Sequence, residues 1–86
     1  MPEISRFYGI IIRMYFVDHN PPHFHADYQG FKAEYDIQTL KLLNGGLPKR
    51  AHALVLEWAS LRREELMEDW NLASVPATLK NIHPLD

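Results

Sequence analysis

The chain has 86 residues, which is the size of one small domain. With 47 % hydrophobic residues it is too apolar for a disordered chain, and without cysteine it can form neither a disulfide framework nor a thiolate metal site. A net charge of −2 argues against non-specific nucleic-acid binding by the whole surface, although a local basic patch is compatible with that charge.

The sequence has no feature that directs it to a membrane. Its longest apolar run, from Gly9 to Ile12, is far too short to span a bilayer. The first residues lack the pattern of a signal peptide, so we expect a cytoplasmic protein. Because a chain of this size buries only about 60 % of its unfolded surface, we also expect contact with a partner or a homo-oligomer to add stability.

The chain begins with a stretch rich in β-branched and aromatic residues, which predicts one long first strand over residues 3–17. Its even positions form a continuous apolar face, made of Tyr8, Ile10, Ile12, Met14 and Phe16. The odd positions are only partly polar, which favours a central strand. Gly9 in mid-strand predicts a bulge or the close approach of another segment.

Residues 18–22, Asp-His-Asn-Pro-Pro, end that strand, since proline cannot donate a hydrogen bond to a sheet ladder. Tandem prolines permit a cis peptide bond, and the trans form is the expected one. The pair acts as a stiff connector that leads into His23.

Residues 23–36 are predicted to form a β-hairpin. Polar and apolar side chains alternate over 23–28 and over 31–36, and Gln29-Gly30 between them suits a two-residue turn. In this register Tyr28 faces Phe31. The inner face then contains Phe24, Ala26, Tyr28, Phe31, Ala33 and Tyr35, while on the outer face His23 lies opposite Asp36, His25 opposite Glu34 and Asp27 opposite Lys32.

The second half predicts a short fourth strand over residues 37–43, broken by Asn44-Gly45-Gly46. Pro48 suits the first turn of a helix, and apolar residues follow at helical spacing over 48–73. The spacing is irregular around Ser60–Arg63, which predicts either one bent helix or two short ones. We expect Pro76 to end the helical part and residues 77–86 to be irregular.

These elements predict one α+β domain over residues 1–86. A small antiparallel sheet of about four strands, with a long first strand and the hairpin 23–36, packs against one bent or two short C-terminal helices.

The histidine group is the main candidate for chemistry. His23 and His25 are two residues apart on a strand, so both rings leave the same face. Imidazole and carboxylate groups suit a divalent metal such as Zn or Mn, and the candidate ligands are His19, His23, His25, Asp27, Glu34 and Asp36. Direct acid–base catalysis would use His23, His25, Asp27 or Glu34. A purely structural role, in which the histidines hydrogen-bond to neighbouring acids and backbone, is the third interpretation.

A second group of candidates is basic. Nucleic-acid or partner binding is suggested for Arg6, Arg13, Lys49, Arg50 and His52. A solvated helix start with scattered surface charge is the alternative. The open edges of the sheet further predict strand pairing with a protein partner.

Four segments of the chain resemble a known family. They are Met-Pro-x-Ile-Ser-Arg-Phe-Tyr-Gly-Ile, Asp-His-x-Pro-Pro-His-Phe-His-Ala, Leu-Pro-x-Arg-Ala and Glu-Trp-Ala. They are similar to segments of short prokaryotic proteins classed only as a domain of unknown function, whose signature is the Pro21–Ala26 box. The resemblance implies a cytosolic prokaryotic protein that is one half of a two-gene, toxin–antitoxin-like pair. It carries over no catalytic residue.

Two hypotheses of function follow. The first is a binding module that acts in a complex with a small protein partner, as in a toxin–antitoxin-like or regulatory pair. The second is a small metal-dependent hydrolase or nuclease that uses His23, His25 and the neighbouring acids.

Overall fold

The protein is an α+β domain in which a five-stranded antiparallel sheet packs against two C-terminal helices. The computed structural model describes residues 2–75 and 77–86. The strands follow chain order across the sheet: β1 Glu3–Phe7, β2 Ile10–Arg13, β3 His23–Tyr28, β4 Phe31–Asp36 and β5 Leu42–Gly45. The helices are α1 Lys49–Leu61 and α2 Arg63–Ser74. The predicted α+β class is confirmed, with five strands instead of about four.

The prediction of one long first strand is wrong. The chain reverses at Tyr8 and Gly9, which have φ values of 50° and 79°, and β2 returns antiparallel to β1. A two-residue turn changes the phase of the alternation, since Phe7 and Ile10 become partners on one face. The change does not show in this sequence because Phe7, Tyr8, Ile10, Ile11 and Ile12 are apolar at odd and even positions alike. The even positions in β2 are buried as expected, whereas Tyr8 is 55 % exposed in the turn.

The hairpin of β3 and β4 has the predicted register at every pair, from His23 opposite Asp36 to Tyr28 opposite Phe31. Gln29 and Gly30 both have positive φ, which is the backbone of a type I′ turn. The inner face is buried in its central part. Phe31, at the end of the sheet, is 50 % exposed, although the pattern placed it in the core.

The last strand is shifted from the predicted span 37–43. Asp36 Oδ1 accepts hydrogen bonds from the backbone N–H groups of Gln38 (2.7 Å) and Thr39 (2.9 Å), and these bonds turn the chain after β4. Ile37 is buried in the core and is not part of β5. β5 also runs through Asn44 and Gly45, where the sequence predicted a break.

The helical part is two helices, separated at Arg62. α1 begins at Lys49, and Pro48 is its N-cap residue, one position before the first turn in which it was predicted. Trp58, which is fully buried, anchors α1 on the sheet and contacts the rings of Phe7 and Phe24. α2 ends at Ser74, and the predicted helix end at Pro76 lies outside the described residues. Among the residues described, neither helix is long and apolar enough to cross a membrane.

The C-terminal segment has no helix or strand, yet it is docked on the domain. Ile82 N–H donates to the carbonyl of Ile4 (2.7 Å), and the Trp58 indole N–H donates to the carbonyl of His83 (2.9 Å). Asp69 Oδ1 accepts from the backbone N–H of Lys80 (2.8 Å). Asp69 is fully buried, and this burial raises the pKa of its carboxyl group.

Candidate metal centre

Two histidines and one aspartate converge at the end of the sheet where β3 begins. His23 and His25 leave the same face of β3, and Asp18 approaches them from the loop before the strand. That loop is fixed to α2 by a hydrogen bond from Val17 N–H to the carbonyl of Ala73 (3.0 Å). One ligand atom from each of the three residues lies within 4.8 Å of the other two. We call this group the Asp18–His23–His25 cluster.

His23 is the most constrained member of the cluster. Its side chain is 2 % exposed and its ring lies 5.2 Å from the ring of Trp70 in α2. Its Nδ1 lies 2.7 Å from the carbonyl oxygen of Pro21. Because a carbonyl can only accept, Nδ1 carries the proton, and in the neutral imidazole Nε2 presents a lone pair. The peptide bond between Asn20 and Pro21 is cis, where the trans form was expected.

The Nε2 atom of His23 is buried without a hydrogen-bond partner. Asp18 Oδ2 is 3.0 Å away, but the geometry of this contact is not that of a hydrogen bond. A lone pair that is out of contact with solvent therefore faces the oxygen of a partly buried carboxylate. Such an arrangement is costly unless a positive charge or a proton lies between the two atoms.

The remaining contacts hold Asp18 as an anion. His25 Nε2 lies 3.4 Å from Asp18 Oδ2, and the backbone N–H of His19 donates to Asp18 Oδ1 (2.9 Å). Burial opposes ionisation of Asp18, but the hydrogen bonds from His19 and His25 and the proximity of His23 outweigh it. The pKa of Asp18 therefore lies below its ordinary value. The ring of Tyr15 packs edge-on against His25, with 4.3 Å between ring centroids.

Three of the predicted ligands lie outside this cluster. His19 is exposed, and its Nδ1 contacts Asp18 Oδ1 on the solvent side. Asp27 accepts a hydrogen bond from Arg13 Nε (3.1 Å). Asp36 is occupied by the turn after β4.

Glu34, also a predicted candidate, lies at the border of the cluster. Its Oε1 is 3.6 Å from His23 Nε2, and its Oε2 accepts from Asn44 Nδ2 (3.3 Å). A groove of about 250 Å³ runs beside it on the outer face of the sheet. The groove is lined by Tyr15, His25, Asp27, Lys32, Ala33, Glu34, Asn44 and Gly45. The cluster thus has a free space and a second carboxylate next to it.

Asp18 was not among the predicted ligands. The sequence signal that could have indicated it is the Pro-Pro bend. A sharp turn at Pro21-Pro22 can bring a residue that precedes it close to His23 and His25. This applies equally to residues 18, 19 and 20, and the sequence does not choose between them.

The five basic candidates, Arg6, Arg13, Lys49, Arg50 and His52, belong to β1, β2 and the first turn of α1. Arg6 forms a salt bridge with Glu3 (2.7 Å). The hydroxyl of Tyr35 and Nδ1 of His52 form a hydrogen bond (2.8 Å), and burial raises the pKa of Tyr35 to about 12. Lys49 and Arg50 lie together at the start of α1.

Comparison with known proteins places the chain in a family. Searches of curated proteins and of solved structures give no match to it. The profile of a domain of unknown function (DUF4160) matches residues 9–71, a span that includes the whole Asp18–His23–His25 cluster and Glu34. Because this match covers well over half of the chain, the protein belongs to the family defined by the domain of unknown function DUF4160.

Proposed function

We propose that the protein binds one divalent transition-metal ion through the Asp18–His23–His25 cluster and uses it to activate water for hydrolysis. The observation that carries the proposal is the buried Nε2 of His23, which has no hydrogen-bond partner and faces the Asp18 carboxylate at 3.0 Å. A metal ion at this point satisfies both groups at once.

The spacing of the ligand atoms supports a metal ion. Bonds of about 2.0–2.1 Å in tetrahedral geometry separate neighbouring ligand atoms by roughly 3.3 Å. The two histidine nitrogens lie 3.0 and 3.4 Å from Asp18 Oδ2. Two imidazoles and one carboxylate form a ligand set of catalytic zinc sites, which keep a fourth position open for water. The bond from His23 Nδ1 to the Pro21 carbonyl is the outer contact that orients a ligating histidine.

Glu34 and the groove support hydrolysis over simple metal storage. A bound divalent metal lowers the pKa of its water ligand to about 7. Glu34 Oε1, at 3.6 Å from His23 Nε2, is close enough to accept a proton from such a water without being a ligand in the cluster. The groove beside His25 gives a substrate access to the open position.

Metal content tests this proposal. Untagged protein purified without chelator and dialysed against Zn²⁺ or Mn²⁺ is expected to retain about one ion per chain by mass spectrometry, and the double variant His23→Ala/His25→Ala is expected to retain none. His19→Ala is the matched control, because it removes an adjacent but exposed histidine and should bind metal as the wild type does. Since Trp70 packs on His23, binding of a quenching ion such as Co²⁺ should also lower its fluorescence.

A further variant separates binding from catalysis. Glu34→Gln keeps all three ligands, so it should retain the metal and lose about 10²–10⁴-fold in the hydrolysis of phosphodiester or ester test substrates. Folded wild-type protein that binds no metal, or equal metal content in the double variant, would refute the centre. An unchanged rate in Glu34→Gln would remove Glu34 as the base and leave the metal site intact.

A second function, binding of a small protein partner, is favoured by the edge strand β5. We propose it as the alternative, with a toxin–antitoxin-like or regulatory pair as the setting. Leu42 and Leu43 on β5 are each 43 % exposed, and within the described residues no strand pairs with the outer edge of β5. The opposite edge differs, because Ile82 donates to Ile4 of β1. A partner strand added to β5 would bury the two leucines.

Co-expression tests the alternative. The protein and the product of the adjacent gene are expected to co-elute in size-exclusion chromatography, and Leu42→Asp/Leu43→Asp should separate them. Consistent elution of the two wild-type proteins in separate peaks would contradict it.

A further inference from the structure

Two turns and the start of a helix meet at the end of the sheet opposite the metal centre. Ile11 pairs with Asp27, so continuing this register places the Tyr8-Gly9 turn beside the Gln29-Gly30 turn. The first turn of α1 borders the same region. Between them is a cavity of about 190 Å³, lined by Tyr8, Ile10, Tyr28, Arg50, Ala51 and Leu54. We call it the tyrosine cleft.

Two tyrosines line this cleft, and a third aromatic side chain lies next to one of them in the sheet. Tyr8 is 55 % exposed, and its backbone lies in the turn with a φ of 50°. Tyr28 reaches towards Gly9, where an added Cβ would lie 3.5 Å from a ring atom of Tyr28. Phe31, the register partner of Tyr28, is on the same face of the sheet and is 50 % exposed. The hydrophobic core does not account for Tyr8 and Phe31, because large parts of both rings contact solvent.

The cleft also has a local positive charge. Lys49 and Arg50 occupy the first turn of α1, which contains no acidic residue. Within residues 2–75 and 77–86 neither forms a salt bridge, whereas Arg6 and Arg13 are both paired with carboxylates. The net charge of −2 for the whole chain therefore does not describe this end of the molecule.

We propose that the tyrosine cleft binds single-stranded nucleic acid. One unpaired base stacks on the exposed ring of Tyr8, with Tyr28 in the wall of the cleft, and the adjoining phosphates contact Lys49 and Arg50. Exposed aromatic rings beside unpaired cations are the surface that single strands bind without strong sequence preference. The cleft has room for about one base, so a duplex, whose bases are stacked and paired, does not fit.

This site is independent of the metal centre. His23 and Tyr28 are five positions apart on β3, which corresponds to about 17 Å at the rise of an antiparallel strand. Because they are an odd number of positions apart on one strand, their side chains also lie on opposite faces of the sheet. A metal chelator can therefore be present throughout the binding experiment, and failure of one proposal leaves the other standing.

Fluorescence anisotropy with a labelled oligothymidylate in EDTA tests the proposal. The wild type is expected to bind at low salt and to weaken as salt rises. Tyr8→Ala should lower affinity about tenfold or more, while Tyr8→Phe keeps the ring and should bind normally. Arg50→Ala should reduce the slope of log affinity against log salt by about 1. Arg63→Ala is the matched control, because Arg63 is also an exposed arginine in the first turn of a helix and forms no salt bridge among the described residues.

Several outcomes would overturn the proposal. Folded wild-type protein that does not bind the oligonucleotide at low salt would do so. Equal affinity for an abasic oligonucleotide of the same length would show that only phosphates are attracted and that no base stacks. An equal loss in Arg63→Ala and Arg50→Ala, or equal affinity for duplex, would show that the cleft is not the site.

Discussion

Replacing Trp58 by alanine is expected to lower the free energy of unfolding by about 4 kcal/mol. The side chain is fully buried, and its ring centroid lies 5.2 Å from that of Phe7 and 5.8 Å from that of Phe24. The substitution removes this apolar contact, leaves a cavity between α1 and the sheet, and removes the indole donor to the carbonyl of His83. A domain of this length has a total stability of roughly 4–13 kcal/mol, so the variant should lie near the limit of folding.

Urea denaturation followed by circular dichroism measures the loss, since tryptophan fluorescence changes with the substitution itself. Trp58→Phe separates the apolar contact from the hydrogen bond, because it keeps most of the apolar ring but not the N–H donor. We expect it to lower the free energy of unfolding less than Trp58→Ala does. It should also make the segment after Leu79 easier to cleave by protease. Trp70→Ala is the comparison, because that ring is only partly buried. A larger loss for Trp70→Ala than for Trp58→Ala would contradict the role assigned to Trp58.

The register of the hairpin of β3 and β4 could be predicted at every pair because two local signals agree. Alternation fixes which residues face inward, and a two-residue turn fixes the register. Every pair from His23–Asp36 to Tyr28–Phe31 follows from those two facts. The turn between β1 and β2 could not be found in this way. A two-residue turn changes the phase of the alternation, but apolar residues stand at odd and even positions alike from Phe7 to Ile12, so the sequence does not show the change.

The candidate site could be predicted only where it depends on a single strand. The period of a strand places His23 and His25 on one face, and no information from elsewhere in the chain is needed. Asp18 and Trp70 reach His23 because the loop before β3 docks on the end of α2, through Val17 and Ala73. That contact joins segments more than fifty positions apart, and no local pattern encodes it. Asp36 was placed in the histidine row correctly, but its carboxylate serves the turn that follows.

Replacing Gly45 by alanine is expected to lower the free energy of unfolding by about 3 kcal/mol. Gly45 has a φ of 68°, which an L-residue adopts at a cost, and an added Cβ would lie 2.1 Å from the carbonyl oxygen of Lys32. That oxygen accepts a hydrogen bond from Gly46 N–H (3.0 Å), so β5 cannot move away from β4 without losing the bond. Displacing β5 also separates Asn44 from Glu34, and this opens the groove beside the Asp18–His23–His25 cluster.

Two other glycines in the chain separate the causes of this effect. Gly30→Ala has the same left-handed backbone, with a φ of 86°, but no atom within 4 Å of the added Cβ, so it measures the conformational cost alone, about 1 kcal/mol. Gly46→Ala has neither a left-handed φ nor a contact closer than 4.0 Å and should be nearly neutral. Equal losses of unfolding free energy in Gly45→Ala and Gly30→Ala would show that β5 moves to make room for the new methyl group. A clearly larger loss of unfolding free energy in Gly45→Ala than in Gly30→Ala would show that β5 is held against β4. If Gly45→Ala also lost Glu34-dependent hydrolysis but kept its metal, the position of β5 would be shown to shape the groove, while β3 and the loop before it would be shown to hold the ion.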